Sequence, residues 1–218
     1  MIPANEWWAV LQNYNETIFP AQIALYLLAA GVAGIFIWKP GEVASHLAKG
    51  YFALAFGWIG IVFFLALGQE LPAHNAQAFL FLSLAGLFSL DLVTNTSSFR
   101  MPGEGWRKTA TLAGFGLALA YPLVGLLAGR PPSGWIIPGA FPCPTTALAL
   151  IFMTTATLQK RRWLYLVTLG LLLLWAIPFP ILIQIPQFGA YEDGIMVVLG
   201  VYALVSWLLR GRGAEASL

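Results

Sequence analysis

The sequence predicts an all-α, polytopic membrane bundle of seven transmembrane helices, with the N-terminus outside and the C-terminus cytoplasmic. Three observations predict it. Apolar residues make up 59% of the chain and charged residues only 9%, whereas a soluble domain carries about a quarter charged side chains. Apolar runs near 18–38, 51–69, 76–97, 109–128, 145–159, 163–185 and 194–209 approach the roughly 20 residues needed to cross a bilayer core. Of the 11 Lys and Arg residues all but one fall on one side: Lys39 and Lys49 after the first run, Arg100, Arg107 and Lys108 after the third, Lys160, Arg161 and Arg162 after the fifth, Arg210 and Arg212 after the seventh. Arg130 alone falls opposite, and this bias orients the bundle. Connections are short, so residues 1–218 read as one membrane domain, with 1–16 an outer interfacial segment and 211–218 a cytoplasmic tail.

The chain opens on NEWWAVL, where Asn5 is a plausible cap and Trp7, Trp8 and Leu11 recur at helical spacing. That pattern suggests a short helix lying on the outer interface as an anchor. No basic segment precedes the first span and no small-residue cleavage site follows it, so that span reads as a retained helix rather than a signal peptide. Small residues Ala110, Gly114 and Ala118 form a row on the fourth span that lets helices approach closely, and this more often marks internal packing than a dimer seam.

The fifth span departs from the pattern. Between Pro144 and Lys160 it has length for only about 22 Å of helix against a hydrocarbon thickness of roughly 30 Å. The preceding GWIIPGAFPCP is apolar, yet Pro138, Pro142 and Pro144 prevent a regular helix there. Irregular backbone at membrane depth has to be covered by protein or line a wet cavity, so a re-entrant or buried outer loop leading into a short, broken fifth helix is expected. Pro144 is expected at the first helical position with Cys143 at the cap. The free amides behind it, with the hydroxyls of Thr145 and Thr146, would form a donor-rich point of the kind that builds solute sites in transporters.

Other prolines place irregularity in the same half. Pro122, Pro178, Pro180 and Pro186 fall in the outer halves of the fourth and sixth spans, whereas only Pro40 and Pro102 fall in cytoplasmic loops. Helices four to six are therefore expected to splay around an outer vestibule. The expected lining is Tyr121, Cys143, Thr145, Thr146, Gln184 and Gln187, with Gln22 and Tyr26 near the outer end of the first span, and no charged group. Asp91 is the only carboxylate well inside a span. It is a candidate proton or cation relay, or a side chain that snorkels toward a cation near the basic loop at Arg100.

Composition excludes several chemistries. Topology separates the 2 histidines, His46 inside and His74 outside, so haem with two histidine ligands is excluded. One cysteine permits neither a disulfide nor a thiolate cluster, and no metal or other cofactor is expected. The last span has no lysine for a retinal Schiff base, and no glycine-rich phosphate loop occurs. The basic residues are spent on topology, which argues against a nucleic-acid partner. The one catalytic combination the topology permits is Cys143 with His74 and Glu70, a thiol, base and orienting acid.

Phe19-Pro20 and Phe141-Pro142 open spans one and five, and both spans end near a cation, at Lys39 and Lys160. A parallel repeat joined by the fourth helix would give the plan of SWEET and PQ-loop proteins, which the chain resembles in plan only, since no Pro-Gln pair sits in those spans. NYNETIFPAQ at 13–22, GAFPCPTT at 139–146 and IPQFGAYEDGI at 185–195 resemble the DUF6064 family of bacterial multi-pass membrane proteins. The resemblance covers most of the chain, implies a bacterial inner-membrane protein and carries no activity. The resemblance implies Tyr-His in the second span, where this sequence has Phe63-Phe64 and so lacks that histidine.

The residues thus lead to a multi-pass inner-membrane protein, permease-like or solute-binding. Its site, for a small neutral or weakly anionic solute, is expected in the outer half at Cys143, Thr145, Thr146, Tyr121, Gln184, Gln22 and Tyr26. A non-catalytic accessory subunit of a larger membrane assembly, or a membrane thiol enzyme using Cys143, are the alternatives. The expected partners are the lipid bilayer, a small solute, and either a second copy or a complex subunit.

Overall fold

Where the apolar runs have helical length they form helices, and a computed structural model describes residues 2–158 and 162–215, with the main chain alone from 210 onward. Lys160 and Arg161, counted above among the orienting cations, lie outside the described residues, as do the side chains of Arg210 and Arg212. The helices are α1 (Ala4–Ile18), α2 (Ala21–Trp38), α3 (Glu42–Trp58), α4 (His74–Thr94), α5 (Trp106–Leu119), α6 (Tyr121–Leu127), α7 (Pro142–Thr154), α8 (Arg162–Ala176), α9 (Ile185–Phe188) and α10 (Asp193–Glu215). The tail expected at 211–218 is thus helical through Glu215.

Four helical stretches are long and apolar enough to cross a membrane: Ala21–Trp38, Glu42–Leu67, His74–Thr94 and Arg162–Phe188. The pair α5 and α6, bent by 57° between Leu119 and Tyr121, makes a fifth if it counts as one broken span. The remaining two expected spans, α7 and α10, are shorter apolar helices, so the count of seven does not follow from helix length.

Irregularity is concentrated in one half, where the prolines lie. Pro122 sits in the first turn of α6, just after the bend, where a missing amide costs no helical bond. Pro180 opens a π-helical turn, Pro180–Gln184, between α8 and α9. The end of α3 is also π-helical, over Ile59–Leu67, a feature with no proline signal. There the chain is widened where Gly60 packs on Leu82, close enough that an added Cβ would lie 2.7 Å from its side chain.

α7 is the axis of the bundle. All 13 of its residues are buried, and Phe152 alone is surrounded by the rings of Phe36, Phe52, Phe99 and Phe115. At about 1.5 Å per residue it spans roughly 20 Å, and it is enclosed by other helices rather than exposed to lipid. Gly114 of α5 permits this approach, since an added Cβ would come 2.3 Å from Ile151 of α7. The small-residue row is therefore an internal seam at that point.

An all-α expectation missed one element. β1 (Ser97–Phe99) and β2 (Ala156–Leu158) form a two-stranded antiparallel ribbon, Ser97 opposite Leu158, that ties the α4–α5 link to the end of α7. Strands of three residues are too short for a periodicity signal. Lys49, fully buried, anchors this end: its Nζ donates to Asn95 Oδ1 at 3.1 Å and to the Ser97 carbonyl, and lies 3.4 Å from Asp91 Oδ1.

α1 differs from a flat interfacial anchor. Its apolar stripe, Trp7, Val10, Leu11, Tyr14 and Ile18, is buried against the bundle, and its cap is Pro3 rather than Asn5, with no side-chain cap bond. The Tyr14 hydroxyl donates to the Ala140 carbonyl at 2.8 Å and accepts from Trp58 Nε1 at 2.8 Å. Asn15 Nδ2 donates to the carbonyls of Ser133 and Trp135. These bonds satisfy three carbonyls of the irregular 133–140 backbone, most of it buried, which is how a proline-rich segment can be covered by protein. Burial pushes the Tyr14 hydroxyl above its ordinary range, so it stays neutral and keeps both bonds.

Candidate functional site

Below α1 lies a cavity of about 310 Å³. Trp7 and Leu11 of α1 cover it, Phe63 and Phe64 of the π-helical stretch form one wall, and Trp175, Phe179 and Ile183 form another. Cys143, Gln184, Gln187 and Gln77 supply its polar groups.

Cys143 and Gln184 meet directly. Gln184 Nε2 donates to Cys143 Sγ at 3.1 Å, while Gln184 Oε1 has no hydrogen-bond partner although the residue is only 3% exposed. In either orientation of the amide, one polar end faces the sulfur and the other is free. Trp175 Nε1 is likewise buried; no hydrogen bond of normal geometry reaches it, and its polar neighbour is the Cys143 thiol, a weak acceptor. An unpaired acceptor and a weakly paired donor on two residues that line the cavity form a pair that a ligand hydroxyl, carbonyl or amide could satisfy, because buried polar atoms are rarely left unpaired.

Behind the thiol sits charge that the sequence reading did not place there. Tyr121 donates from its hydroxyl to Asp193 Oδ1 at 2.8 Å, and Asp193 also neighbours Cys143. Glu192 pairs with Arg130, whose Nη2 is 3.0 Å from Glu192 Oε2 and also donates to the Gly189 carbonyl at 2.8 Å. The same guanidinium stacks over Trp8, 3.5 Å from the ring centre. Glu192 is 1% exposed and Asp193 is fully buried. The signal was present: the lone outer cation and the Glu-Asp pair directly before an apolar run are complementary charges on the same predicted side.

The threonines contribute less than expected. α7 begins at Pro142, not Pro144, with Phe141 as its cap. Prolines therefore occupy the first and third helical positions, and the Thr145 amide bonds the Phe141 carbonyl at 3.4 Å, leaving Cys143 with the one free amide of that turn. The Thr145 hydroxyl donates to Phe141 O at 2.6 Å and accepts from the Gly139 amide at 2.8 Å, closing the turn. Gly139 has φ +92°, and an added Cβ there would meet the Tyr51 hydroxyl at 2.9 Å, so glycine is required twice over. Thr146 is buried with its hydroxyl unpartnered, and neither threonine lines the cavity.

Gln22 and Tyr26 are not in this site. Tyr26 donates to the Leu119 carbonyl at 2.9 Å, fastening α2 to the bend after α5, and Gln22 is half-buried away from the cavity. Asp91 lies at the ribbon end, where its Oδ1 accepts from the amides of Thr96 and Ser97, both at 2.9 Å, and Oδ2 accepts from Ser97 Oγ. Its cation is Lys49 of α3, whereas Arg100 pairs with Glu42 at 3.8 Å.

Cys143 does not meet His74 or Glu70. His74 Nδ1 lies 3.2 Å from Leu71 O, and neither residue lines the cavity. A buried thiol beside a carboxylate is also the reverse of the electropositive setting that activates a nucleophilic cysteine. Among the described residues, no three His, Cys, Asp or Glu side chains converge to hold a metal ion.

No curated protein and no solved structure matches the chain. A match over residues 4–217 shows that the chain belongs to DUF6064, a family of unknown function.

Proposed function

We propose that this is a seven-pass membrane protein, N-terminus outside, that binds a small neutral solute in the cavity beneath α1. The single observation that carries the reading is the pair of under-satisfied groups, Gln184 Oε1 and Trp175 Nε1, on two residues that line a mostly apolar cavity. The volume suits it: a dry cavity of about 150 Å³ already holds benzene, and pockets for small molecules start near 300 Å³. Arg130, the nearby cation, is already paired with Glu192, and Asp193 behind Cys143 offers an anion no attraction, which narrows the solute to a neutral one. Seven crossings are supported by the alternation of cation-bearing loops with the cation-poor half that holds the cavity. α7 and α10 cross as short segments sheltered by the other helices.

The test is equilibrium binding of benzyl alcohol to the purified protein, followed by tryptophan fluorescence. Saturable binding is expected, and filling the cavity with Ile183→Trp should abolish it. Absence of saturable binding, or binding that survives the filled cavity, overturns the reading.

A further inference from the structure

The cavity continues into the membrane face of the bundle. Ala73, Gln77, Trp175, Phe179 and Ile183 line both the cavity and a groove of about 580 Å³ between α4 and α8. Beyond these shared residues the groove runs along Ala76, Phe79, Ser83, Leu174 and Leu182. Phe79 is 75% exposed and Leu182 67% exposed, on two of the stretches long and apolar enough to cross a bilayer. Hydrocarbon is the medium such side chains suit.

The wall shared by cavity and groove is also the least regular part of α8. The helix breaks at Ile177, Pro178 and Pro180 lack amide donors, and the π-helical turn Pro180–Gln184 follows. It is a poor wall for a closed seam. The groove offers water little: the Ser83 hydroxyl is spent on its own Phe79 carbonyl at 2.7 Å, and Gln77 Nε2 on the Pro72 carbonyl at 3.0 Å. Polarity returns at the inner end, where Gln184 and Trp175 bring an acceptor and a donor that no hydrogen bond of normal geometry satisfies.

We propose that the cavity is loaded sideways from the bilayer, through the α4–α8 groove, by a neutral single-chain amphiphile whose alcohol head meets Gln184 and Trp175 while its tail lies in the groove. The proposal rests on the binding reading above. A hydroxyl fits both groups at once, donating to Gln184 Oε1 and accepting from Trp175 Nε1. A carboxylate of the same chain length can satisfy only the donor and brings a negative charge toward Asp193. An alkane satisfies neither.

The experiment uses the full chain in phosphatidylcholine nanodiscs with a long-chain alcohol that carries its diazirine next to the hydroxyl-bearing carbon, photolabelled and mapped by mass spectrometry. Label is expected on the Phe63–Phe64 segment and near Gln184, displaced by dodecanol at a concentration about tenfold lower than by laurate at neutral pH. Ala76→Trp, at an exposed position in the groove, should cut this labelling by about tenfold while changing benzyl alcohol affinity by less than about twofold. Ser83→Trp, lower in the same groove, is the independent second block. Long-chain labelling unchanged in both variants, with benzyl alcohol still bound, overturns sideways loading and leaves the cavity reading standing. Laurate competing as well as dodecanol overturns the assignment of the head group. Failure of the wild type to take either probe overturns both readings together.

Discussion

Gln184→Leu should move stability and binding in opposite directions. Its free carbonyl is buried without a partner, and such a group costs roughly 1–3 kcal/mol. The bond it does make, Nε2 to Cys143 Sγ at 3.1 Å, is to a weak acceptor. Leucine of similar bulk removes the orphan and gives up the weak bond, so the empty protein should gain about 1 kcal/mol, a Tm rise of roughly 2–4 °C at this chain length. Binding of a hydroxylated probe should lose one neutral hydrogen bond, about 1 kcal/mol or roughly fivefold in Kd. Thermal unfolding in detergent and benzyl alcohol titration on the same sample measure both. A variant that melts lower and binds the probe unchanged would show that Gln184 holds α8 to α7 and has no part in ligand recognition.

Removing the buried cation with Lys49→Met leaves the Asp91 carboxylate alone at the ribbon end and should cost about 3–5 kcal/mol in chemical unfolding. Adding Asp91→Asn should recover much of that, because the amide oxygen still accepts from Thr96 and Ser97; a loss below about 1 kcal/mol for the single variant would contradict the anchoring role. Arg130→Ala strands Glu192 and frees Trp8, so hydrogen exchange of the α1 amides should accelerate, and unchanged exchange would show that α1 is held without the ion pair. Gly114→Leu forces α5 off Ile151 and should cost about 1–3 kcal/mol by overpacking, with partial rescue by Ile151→Ala; tolerance of the single change would place the seam elsewhere.

What the residues revealed in advance follows from which signals are local. Apolar runs and proline positions are local, and they led to the helices, the short buried α7 and the irregular half around Pro122 and Pro180. Tertiary pairing is not local. Nothing in NEWWAVL says that Trp7 will roof a cavity instead of lying in an interface, because both uses need the same amphipathic stripe. Thr145 looked like a ligand group, but it closes the turn at Gly139, a bond that depends on a backbone path the sequence does not spell out. Cys143 and Gln184, 41 residues apart, were both named and do meet. Glu192 and Asp193 stand directly before an apolar run, where an acid commonly marks a membrane boundary, and only folding brings Arg130 and Tyr121 against them.

Electron cryomicroscopy of the protein in a lipid nanodisc is the most direct measurement. Continuous non-protein density is expected to enter between α4 and α8 and to end beside Gln184 and Trp175. A closed α4–α8 seam, with Phe63, Trp175 and Phe179 packed across an empty site, would contradict a membrane-loaded binding cavity.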